Sequence, residues 1–257
     1  MAFKRIVACL DIKDGHVVKG VRFENFRDID DPVALARRYN ESGADELVFY
    51  DITAGIENRT IIADILERAA REVTIPLTVG GNIREAEDFE RVIGLGADKV
   101  SINTGAIRDP SIIGKAAARY GSERIVLAMD VRRVDGKFHV FTKGGREDAG
   151  LDALDWAAFG ADSGAGELVV NSIDTDGVRD GFDIEMLAAI CGRVNIPVVA
   201  SGGAGNMAHF LKLFNEVPGV DAGLAASVFH LKEVNIMELK KYLREHGVNV
   251  RMPVSAT

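Results

Sequence analysis

Short runs of apolar, often β-branched residues alternate along the chain with longer segments in which apolar positions recur at helical spacing. Such runs are typical of strands, and the amphipathic segments between them are typical of helices. The predicted strands are 6–12, 46–52, 76–80, 99–103, 125–131, 167–172, 197–201 and 222–227, and the predicted helices include 32–42, 60–72, 85–95 and 183–193. Strands that alternate with helices predict a parallel sheet built from βα units.

The number of units indicates how this sheet is arranged. Eight strands and eight helices in about 250 residues match an α/β (β/α)8 TIM barrel. A doubly wound nucleotide-binding sheet is the alternative, because residues 203–208 fit the pattern G-x-G-x-x-A. That pattern normally follows the first strand of its unit, whereas this copy follows the seventh, so we predict a barrel. We expect a single domain over residues 1–257, in which 252–257 form a frayed tail.

The second half of the chain repeats the first at an offset of about 120 residues. Asp11 ends the first apolar run, and Asp130 ends the fifth. Residues 75–81 and 196–202 likewise share an Ile-Pro start and a final glycine. The repeat predicts two half-barrels, about 1–121 and 122–251, related by a pseudo-twofold axis.

The two repeated aspartates are the leading candidates for catalysis. Functional groups of TIM barrels lie at the carboxyl ends of the strands, and the first and fifth strands face each other across an eight-stranded ring. Two carboxylates on opposite sides of one substrate are suited to general acid–base catalysis. The alternative is that Asp11 and Asp130 only cap a loop or a helix, but their symmetric pairing favours catalysis.

Glycine, amide and hydroxyl residues follow four other strands in two adjacent pairs. Residues 80–83 and 103–105 form one pair, and residues 202–205 and 226–227 form the other. Glycine lets the backbone approach an anion closely, and N–H, amide and hydroxyl groups donate hydrogen bonds to it. These segments are either tight βα turns only or, as we predict, binding sites for two phosphates at the far ends of one substrate.

Composition narrows the classes of function. The net charge is −8 and no cluster of lysine and arginine lacks neighbouring acids, which argues against nucleic acid as a partner. Cys9 and Cys191 provide neither a disulfide framework nor a metal site. No apolar stretch reaches the roughly 18 residues of a membrane helix, so we expect no membrane association and a cytoplasmic location. We predict no cofactor and no metal.

Several longer motifs carry a family resemblance: RIVACLDIKDG at 5–15, VKG at 18–20, FEN at 23–25, DKVSIN at 98–103 and ASGGAG at 200–205. The chain closely resembles the cyclase subunits of imidazole glycerol phosphate synthase, which act in histidine biosynthesis. The resemblance, from about residue 3 to Arg251, implies a (β/α)8 lyase that takes ammonia from a partner glutaminase. It implies a bis-phosphorylated formimino-ribulosyl aminoimidazole carboxamide nucleotide as substrate. The implied products are imidazole glycerol phosphate and aminoimidazole carboxamide ribonucleotide.

The resemblance also implies roles for residues at the carboxyl ends of the strands. Asp11 and Asp130 become the acid–base pair, with Asp176 and Asn171 as auxiliaries, although Asp176 is equally compatible with an Asx-turn. Lys19 begins segment 19–31, which either closes over the substrate as a lid or is a solvated loop. The implied phosphate-binding residues are Asn82, Asn103 and Thr104 in one half and Gly177, Gly203, Ala226 and Ser227 in the other.

Charged residues also stand at the starts of four strands, and therefore at the opposite end of the barrel: Arg5, Glu46, Lys99 and Glu167. By themselves they predict a layer of salt bridges around the barrel axis. The resemblance implies that they gate a passage for ammonia. Asp98 lies at the same end, where it either contacts the glutaminase or only ends a Gly-Ala-Asp turn.

Some positions depart from the family pattern. Asn82 stands where a third glycine is usual, although asparagine tolerates positive φ. Asn171, Ala149 and Val178 each replace a frequent threonine. Phe159-Gly160 is predicted to interrupt the helix before the sixth strand. None of these changes removes a proposed catalytic carboxylate.

Two alternative functions stay open. The sister isomerase of the same pathway is also a duplicated half-barrel with two aspartates and two phosphate sites, but the run Cys9-Leu10-Asp11 and the FEN motif favour the cyclase. A non-catalytic barrel that binds and activates a glutaminase is disfavoured by the intact aspartates. His209 and His230 have no partner at metal-ligand spacing, so we predict packing or surface roles for both.

Overall fold

The computed structural model describes residues 3–21, 24–52 and 63–252, without the side chains of residues 19–28. Its strands are β1 (Arg5–Lys13), β2 (His16–Val21), β3 (Glu24–Asp30), β4 (Glu46–Asp51), β5 (Leu77–Gly80), β6 (Lys99–Ile102), β7 (Ile125–Val134), β8 (Lys137–Thr142), β9 (Glu147–Asp152), β10 (Glu167–Ser172), β11 (Val198–Ser201) and β12 (Ala222–Ala225). Its α-helices are α1 (Pro32–Glu41), α2 (Ala63–Glu72), α3 (Ala86–Gly94), α4 (Thr104–Arg108), α5 (Ser111–Tyr120), α6 (Ala153–Asp162), α7 (Ile184–Cys191), α8 (Met207–Glu216), α9 (Ser227–His230) and α10 (Ile236–Glu245), and a 3-10 turn spans Ser122–Arg124.

Eight of these strands form a closed parallel barrel in the order β1, β4, β5, β6, β7, β10, β11 and β12. The last strand pairs with the first, so that Ile6 lies opposite Gly223. The seam between the two halves is also parallel and pairs β6 with β7. The predicted TIM barrel is therefore confirmed, and the doubly wound sheet is wrong because an open sheet has two edge strands.

The predicted strand boundaries are accurate to a few residues, and two differences have a local cause. The strands predicted to reach Asn103 and Ser227 end earlier, since short helices α4 and α9 begin there. The start of the predicted helix at 60–72 lies outside the described residues, and α2 supplies the remainder. Both short helices bring backbone N–H groups to the carboxyl ends of the barrel strands.

Two β-hairpins, β2–β3 and β8–β9, leave the barrel after β1 and β7. Each turn between the parent strand and the hairpin is an Asp-Gly pair in the left-handed region, with φ values of 50° and 85° at Asp14 and Gly15 and of 48° and 79° at Asp135 and Gly136. This conformation suits a two-residue type I′ turn. Segment 19–31 is therefore mostly strand rather than an irregular loop, and its closure over a substrate stays a prediction.

The halves also start their first long helices alike. Asp31 caps α1 by accepting a hydrogen bond from the Ala34 N–H, and Asp152 caps α6 by accepting from the Leu154 N–H. A side-chain acceptor at this position satisfies an N–H group that has no partner inside the helix. Equivalent strand, hairpin and cap therefore recur in both halves, as the sequence repeat predicts.

The helix before the sixth barrel strand is continuous, contrary to the prediction for Phe159-Gly160. Helix α6 runs through both residues to Asp162. Gly160 faces the barrel, where an added Cβ would lie 2.2 Å from Leu127 Cδ2. The glycine therefore brings the helix close to the sheet instead of breaking it.

A buried ion pair joins the last helix to the start of β4. Lys240 Nζ lies 2.8 Å from Asp45 Oδ1, and these side chains are 1% and 2% exposed. Asp45 Oδ2 also accepts a hydrogen bond from the Ile6 N–H. Burial lowers the pKa of Lys240, although Asp45 opposes that change. The pair thus anchors α10 at the β1–β4 seam.

Replacing Lys240 by methionine is expected to reduce the free energy of unfolding by about 3–5 kcal/mol, because it leaves the Asp45 carboxylate buried without its cation. Equilibrium urea unfolding of both proteins measures the difference. The double variant Asp45→Asn/Lys240→Met is the control and should recover part of the loss. Equal stability of Lys240→Met and the parent would contradict a structural role for the pair.

Candidate active site

A cleft of about 780 Å³ opens at the carboxyl ends of the barrel strands. The described residues to which the resemblance assigns a catalytic, auxiliary or phosphate-binding role all line it: Asp11, Asn82, Asn103, Thr104, Asp130, Asn171, Asp176, Gly177, Gly203, Ala226 and Ser227. The backbone of Lys19 belongs to β2, but its side chain lies outside the described residues. Both halves of the barrel therefore contribute to one cavity.

Asp130 is the centre of a hydrogen-bond network that joins the ends of four neighbouring strands, β6, β7, β10 and β11. Its Oδ2 accepts from Asn103 Nδ2 at 2.9 Å, and its Oδ1 accepts from Asn171 Nδ2 at 3.1 Å. Asn171 Oδ1 in turn accepts from Ser201 Oγ at 3.1 Å. The network fixes the carboxylate plane, so Asp130 is preorganised for reaction with a bound molecule.

Burial raises the pKa of Asp130 to about 6, even though the hydrogen bonds from Asn171 and Asn103 act to lower it. The negative charges of Asp176 and Asp11 add to the increase. Desolvation disfavours a carboxylate, whereas donated hydrogen bonds favour it. Asp130 can therefore both give and accept a proton near neutral pH.

The side-chain amide resonances of Asn103 and Asn171 should shift together with pH, with a midpoint near the Asp130 pKa of about 6. Below the midpoint Asp130 gains a proton, and an amide N–H then donates to a weaker, neutral acceptor. NMR spectra of the ¹⁵N-labelled protein recorded from acid to neutral pH measure this change. An Asp130→Asn variant should abolish it, and a shared midpoint near 4 would show that burial has no such effect.

Asp11 faces the cleft from the opposite side of the barrel. It lies on β1 opposite Tyr50 of β4 and Val18 of β2, at the point where β1 leaves the barrel for the hairpin. Asp130 occupies the matching point of β7, opposite Phe141 of β8. The Cys9 thiol donates to Asp11 Oδ1 over 3.8 Å. The structure thus presents two carboxylates to one cavity from equivalent positions in the two halves.

In the first group of predicted phosphate-binding residues, the backbone packs closely against neighbouring carbonyl oxygens at two glycines. Gly81 has φ 125°, and an added Cβ would lie 2.6 Å from the Asp51 carbonyl oxygen. Gly105 packs against Ile83 in the same way, with 2.1 Å between its added Cβ and the Ile83 carbonyl oxygen. Asn82 has φ 49°, which explains how asparagine occupies a position where glycine is usual. These contacts place 81–83 beside the start of α4.

Asn103 and Thr104 differ in what they offer an anion there. The Asn103 amide already donates to Asp130, and its buried Oδ1 has no hydrogen-bond partner in the described part of the chain. Thr104 Oγ1 accepts from the Lys143 N–H over 3.5 Å. Asn103 therefore connects the first group of predicted phosphate-binding residues to the Asp130 carboxylate. The Thr104 hydroxyl keeps its proton, which it can donate to an oxyanion.

The second predicted phosphate group consists of two glycine-rich loops packed backbone to backbone. Gly202 and Gly203 have φ values of 89° and 98°. An added Cβ on Gly203 would lie 1.9 Å from the Gly181 carbonyl oxygen, and the Gly181 N–H donates to Gly203 O at 2.8 Å. Ala226 and Ser227 begin α9 beside them. Glycine is required at 203 by both its conformation and its contacts.

Most cations of the described lining lie toward one end of the cleft, while Lys13 lines it from the end of β1. Arg84, Arg108, Lys143 and Arg146 lie in segments around the first phosphate group, and Lys143 Nζ pairs with Glu147 at 2.6 Å. No lysine or arginine is found in the part of the lining that described residues 169–227 supply. Sequence reasoning missed these four side chains because they follow the strands at irregular distances.

Sequence reasoning also missed a polar pair deeper in the barrel. The Tyr50 hydroxyl lies 3.2 Å from Ser101 Oγ, and both residues line the cleft. Gly80 makes room for this contact, because a Cβ there would lie 2.7 Å from the Tyr50 ring. Burial raises the pKa of Tyr50 above its ordinary value, which keeps the hydroxyl protonated. Side chains alternate between the two faces of a strand, so Tyr50 lies on the same face as Glu46, and Ser101 on the same face as Lys99. This alternation was the signal that could have revealed the pair.

The four charged residues predicted for the opposite end form a closed ring of ion pairs. Arg5 contacts Glu46 and lies 2.8 Å from Glu167, while Lys99 Nζ lies 3.2 Å from Glu46 and 3.1 Å from Glu167. Burial alone lowers the pKa of Arg5, but the two glutamates outweigh it and raise the pKa. Between this ring and the cleft lie small and branched apolar side chains, including Val7, Val48, Val126, Val169 and Val199.

Asp98 is exposed at the same end of the barrel. Its Oδ2 accepts from the Leu77 N–H at 2.8 Å, as Asp45 does from Ile6 and Asp221 does from Val198. The aspartate of each Gly-Ala-Asp-like turn thus caps a neighbouring strand. Asp98 has this structural role whether or not it also contacts a partner.

Within 3–21, 24–52 and 63–252, no cluster of three or more histidine, cysteine, aspartate or glutamate side chains has the geometry to hold a metal ion. The helices of these ranges include none with the length and apolar character needed to span a membrane.

The chain matches known proteins along almost its whole length. Residues 5–235 match the family model described as histidine biosynthesis protein. Proteins named imidazole glycerol phosphate synthase subunit HisF from Thermotoga sp. (strain RQ2) and Oceanobacillus iheyensis are each 50% identical over 252 residues, covering 98% of this chain and 99% and 98% of their own lengths. The protein of the same name from Sulfurisphaera tokodaii is 51% identical over 252 residues, covering 98% of this chain and all of its own.

Proposed function

Because the chain belongs to the histidine biosynthesis family, and within it to the HisF cyclase subunits of imidazole glycerol phosphate synthase, we propose how its cleft carries out this enzyme's reaction. Ammonia and the bis-phosphorylated formimino-ribulosyl nucleotide react to give imidazole glycerol phosphate and aminoimidazole carboxamide ribonucleotide. The observation that carries the proposal is the pair of carboxylates, Asp11 and Asp130, facing one cavity that ends in two glycine-rich groups.

The chemistry requires proton transfer in both directions. When ammonia attacks a carbonyl carbon and water leaves, the oxygen must gain protons and the nitrogen must lose them. Asp130, whose pKa is about 6, supplies a proton to the departing oxygen. Asp11, across the cavity, accepts protons from the nitrogen. Ring closure then forms a C–N bond at the formimino carbon and breaks the C–N bond from that carbon to the carboxamide nucleotide, whose departing amine takes a proton from Asp11. Asp176 acts as an auxiliary beside Asp130. Asn171 orients Asp130 through the hydrogen bond that it donates to Asp130 Oδ1.

The two phosphates hold the substrate between these carboxylates. One binds at Asn82, Asn103 and Thr104, and the other binds at Gly177, Gly203, Ala226 and Ser227. Backbone N–H groups at a helix start are suited to an anion, and α4 and α9 begin at these two places. Anchoring both ends limits the substrate to one reactive position, which lowers the entropic part of the barrier. In this proposal, Lys19 and the rest of segment 19–31 close over the bound substrate.

Ammonia reaches the cleft through the barrel in this proposal. The relatives are named as subunits, which implies a multi-subunit complex. We infer that the partner of this chain is a glutaminase. It docks at the end that carries Asp98 and the ring of Arg5, Glu46, Lys99 and Glu167. The apolar side chains above the ring suit neutral ammonia and exclude ammonium, since an unpaired ion is costly to bury. A cytoplasmic location stays a prediction.

Turnover with ammonium salt and no partner tests the function directly. The purified chain is incubated with the bis-phosphorylated nucleotide at alkaline pH, and both products are separated and quantified. Formation of equal amounts of the two products supports the cyclase. Tight binding of the nucleotide without turnover would overturn it, and interconversion of the two isomers of this pathway's aminoimidazole carboxamide nucleotide would identify the sister isomerase instead.

A further inference from the structure

His209 contacts the second group of predicted phosphate-binding residues at Gly205, although its sequence context predicts only packing or surface exposure. It lies in the first turn of α8, directly after the glycine loop 202–205, and is half-buried. Its Nδ1 lies 3.0 Å from the Gly205 backbone nitrogen, and its Nε2 lies 3.2 Å from the Asn206 side-chain amide. Because a backbone N–H can only donate, Nδ1 is the acceptor of the first bond.

The other side of the same loop is fixed by close packing against residues 179–181. A Cβ on Gly205 would lie 2.0 Å from the Arg179 carbonyl oxygen, which parallels the contact of Gly203 with Gly181. Arg179 itself forms an ion pair with Glu233, which lies after α9. On this face the loop is held by van der Waals contact and by the hydrogen bond from the Gly181 N–H to the Gly203 oxygen. The His209 ring adds a hydrogen bond at Gly205, from the helix that follows.

We propose that His209 is a positioning residue for the second phosphate group. By accepting the Gly205 N–H, it fixes the peptide planes of the loop so that the backbone at Gly203 faces the cleft. Phosphate contacts then fall to Gly203, Ala226 and Ser227, while the Gly205 N–H is used to hold the loop. The identity of the anion as a substrate phosphate rests on the proposed function; the hydrogen bond itself does not.

The proposal depends on one acceptor atom at one place, which two isosteric substitutions separate. Asparagine carries an oxygen at the position of the histidine Nδ1, whereas glutamine carries its polar atoms one carbon further out. Leucine keeps the apolar volume and has no acceptor. A merely structural side chain would be replaced by glutamine or leucine as well as by asparagine.

Inorganic phosphate is the probe, and NMR of the ¹⁵N-labelled full chain is the measurement. Backbone amides of Gly203 and Ser227 report the second group, and those of Thr104 and Gly105 report the first. His209→Leu and His209→Gln are expected to raise the phosphate Kd at the second group about tenfold, the effect of one misplaced hydrogen-bonding element, and His209→Asn to stay within about twofold of the parent. The Kd at the first group should be unchanged in all three.

Turnover of the bis-phosphorylated nucleotide with ammonia provides the second readout. His209→Leu and His209→Gln should raise KM about tenfold and change kcat less than about twofold, since the reacting centre lies elsewhere. Equal phosphate Kd values in the asparagine and glutamine variants would overturn the proposal, as would an unchanged Kd in the leucine variant. If the leucine variant does not fold, the asparagine and glutamine pair decides. Phosphate results as expected without turnover by the parent would reject the function and retain the role of His209.

Discussion

Replacing Asp130 by asparagine is expected to lower kcat for the ammonia-dependent reaction about 1,000-fold, with little change in KM. The change removes the proton that the carboxyl exchanges near its pKa of about 6, while it keeps the size of the side chain. Asn103 and Asn171 then face an amide in place of a carboxylate. Steady-state kinetics with ammonium salt, calculated on free ammonia, measures the effect.

Asp11→Asn should cause a loss of the same order, because the proposed reaction needs both a donor and an acceptor of protons. The double variant should be little slower than either single variant, since groups that act as one unit are not additive. Asp135→Asn, in the turn between β7 and β8, is the control for an aspartate-to-asparagine change and should leave kcat unchanged. A loss below tenfold in both Asp11→Asn and Asp130→Asn would exclude catalysis by a carboxylate pair.

Gly203→Ala is expected to raise KM for the bis-phosphorylated nucleotide about 100-fold, which corresponds to losing one or two hydrogen bonds to a charged group. Its φ of 98° disfavours any side chain, and the added Cβ would lie 1.9 Å from the Gly181 carbonyl oxygen. The two loops must therefore separate, and the N–H groups that face the phosphate move with them. Initial rates over a range of nucleotide concentrations measure KM.

Gly247→Ala is the matched control for Gly203→Ala. Gly247 has φ 84° but nothing within 4 Å of an added Cβ, so it carries the same conformational cost without the steric overlap. We expect a small loss of stability and an unchanged KM. A KM near the parent value for Gly203→Ala would show that the second glycine group does not bind the substrate.

The barrel and its functional end were predictable because they depend on local pattern. Apolar periodicity marked all eight barrel strands, and the rule that functional groups follow strand ends placed Asp11 and Asp130 in one cavity. The hairpins were missed although the Asp-Gly turns at 14–15 and 135–136 are among the strongest hairpin signals. Their polar strands have too little apolar alternation to stand out between a barrel strand and a helix.

The hydrogen bonds between strands in the cleft could not be predicted, because they depend on register. The bond from Asn103 to Asp130 requires β6 and β7 to be offset as they are, and the bond from Tyr50 to Ser101 requires a glycine on the strand between them. The contact of His209 with the Gly205 N–H could not be predicted either. The N–H group that donates to His209 belongs to a loop whose conformation the sequence pattern does not specify.

The cations concentrated toward one end of the cleft make the electrostatic potential of the cavity more positive at that end. A substrate with similar charges at both ends is attracted more strongly by its approach to Arg84, Arg108, Lys143 and Arg146, so that end is captured first and ionic strength affects its capture most. In the proposed function, the opposite end is then recognised at short range by neutral N–H groups. One end therefore governs the rate of encounter, and the other governs which captured molecules stay long enough to react.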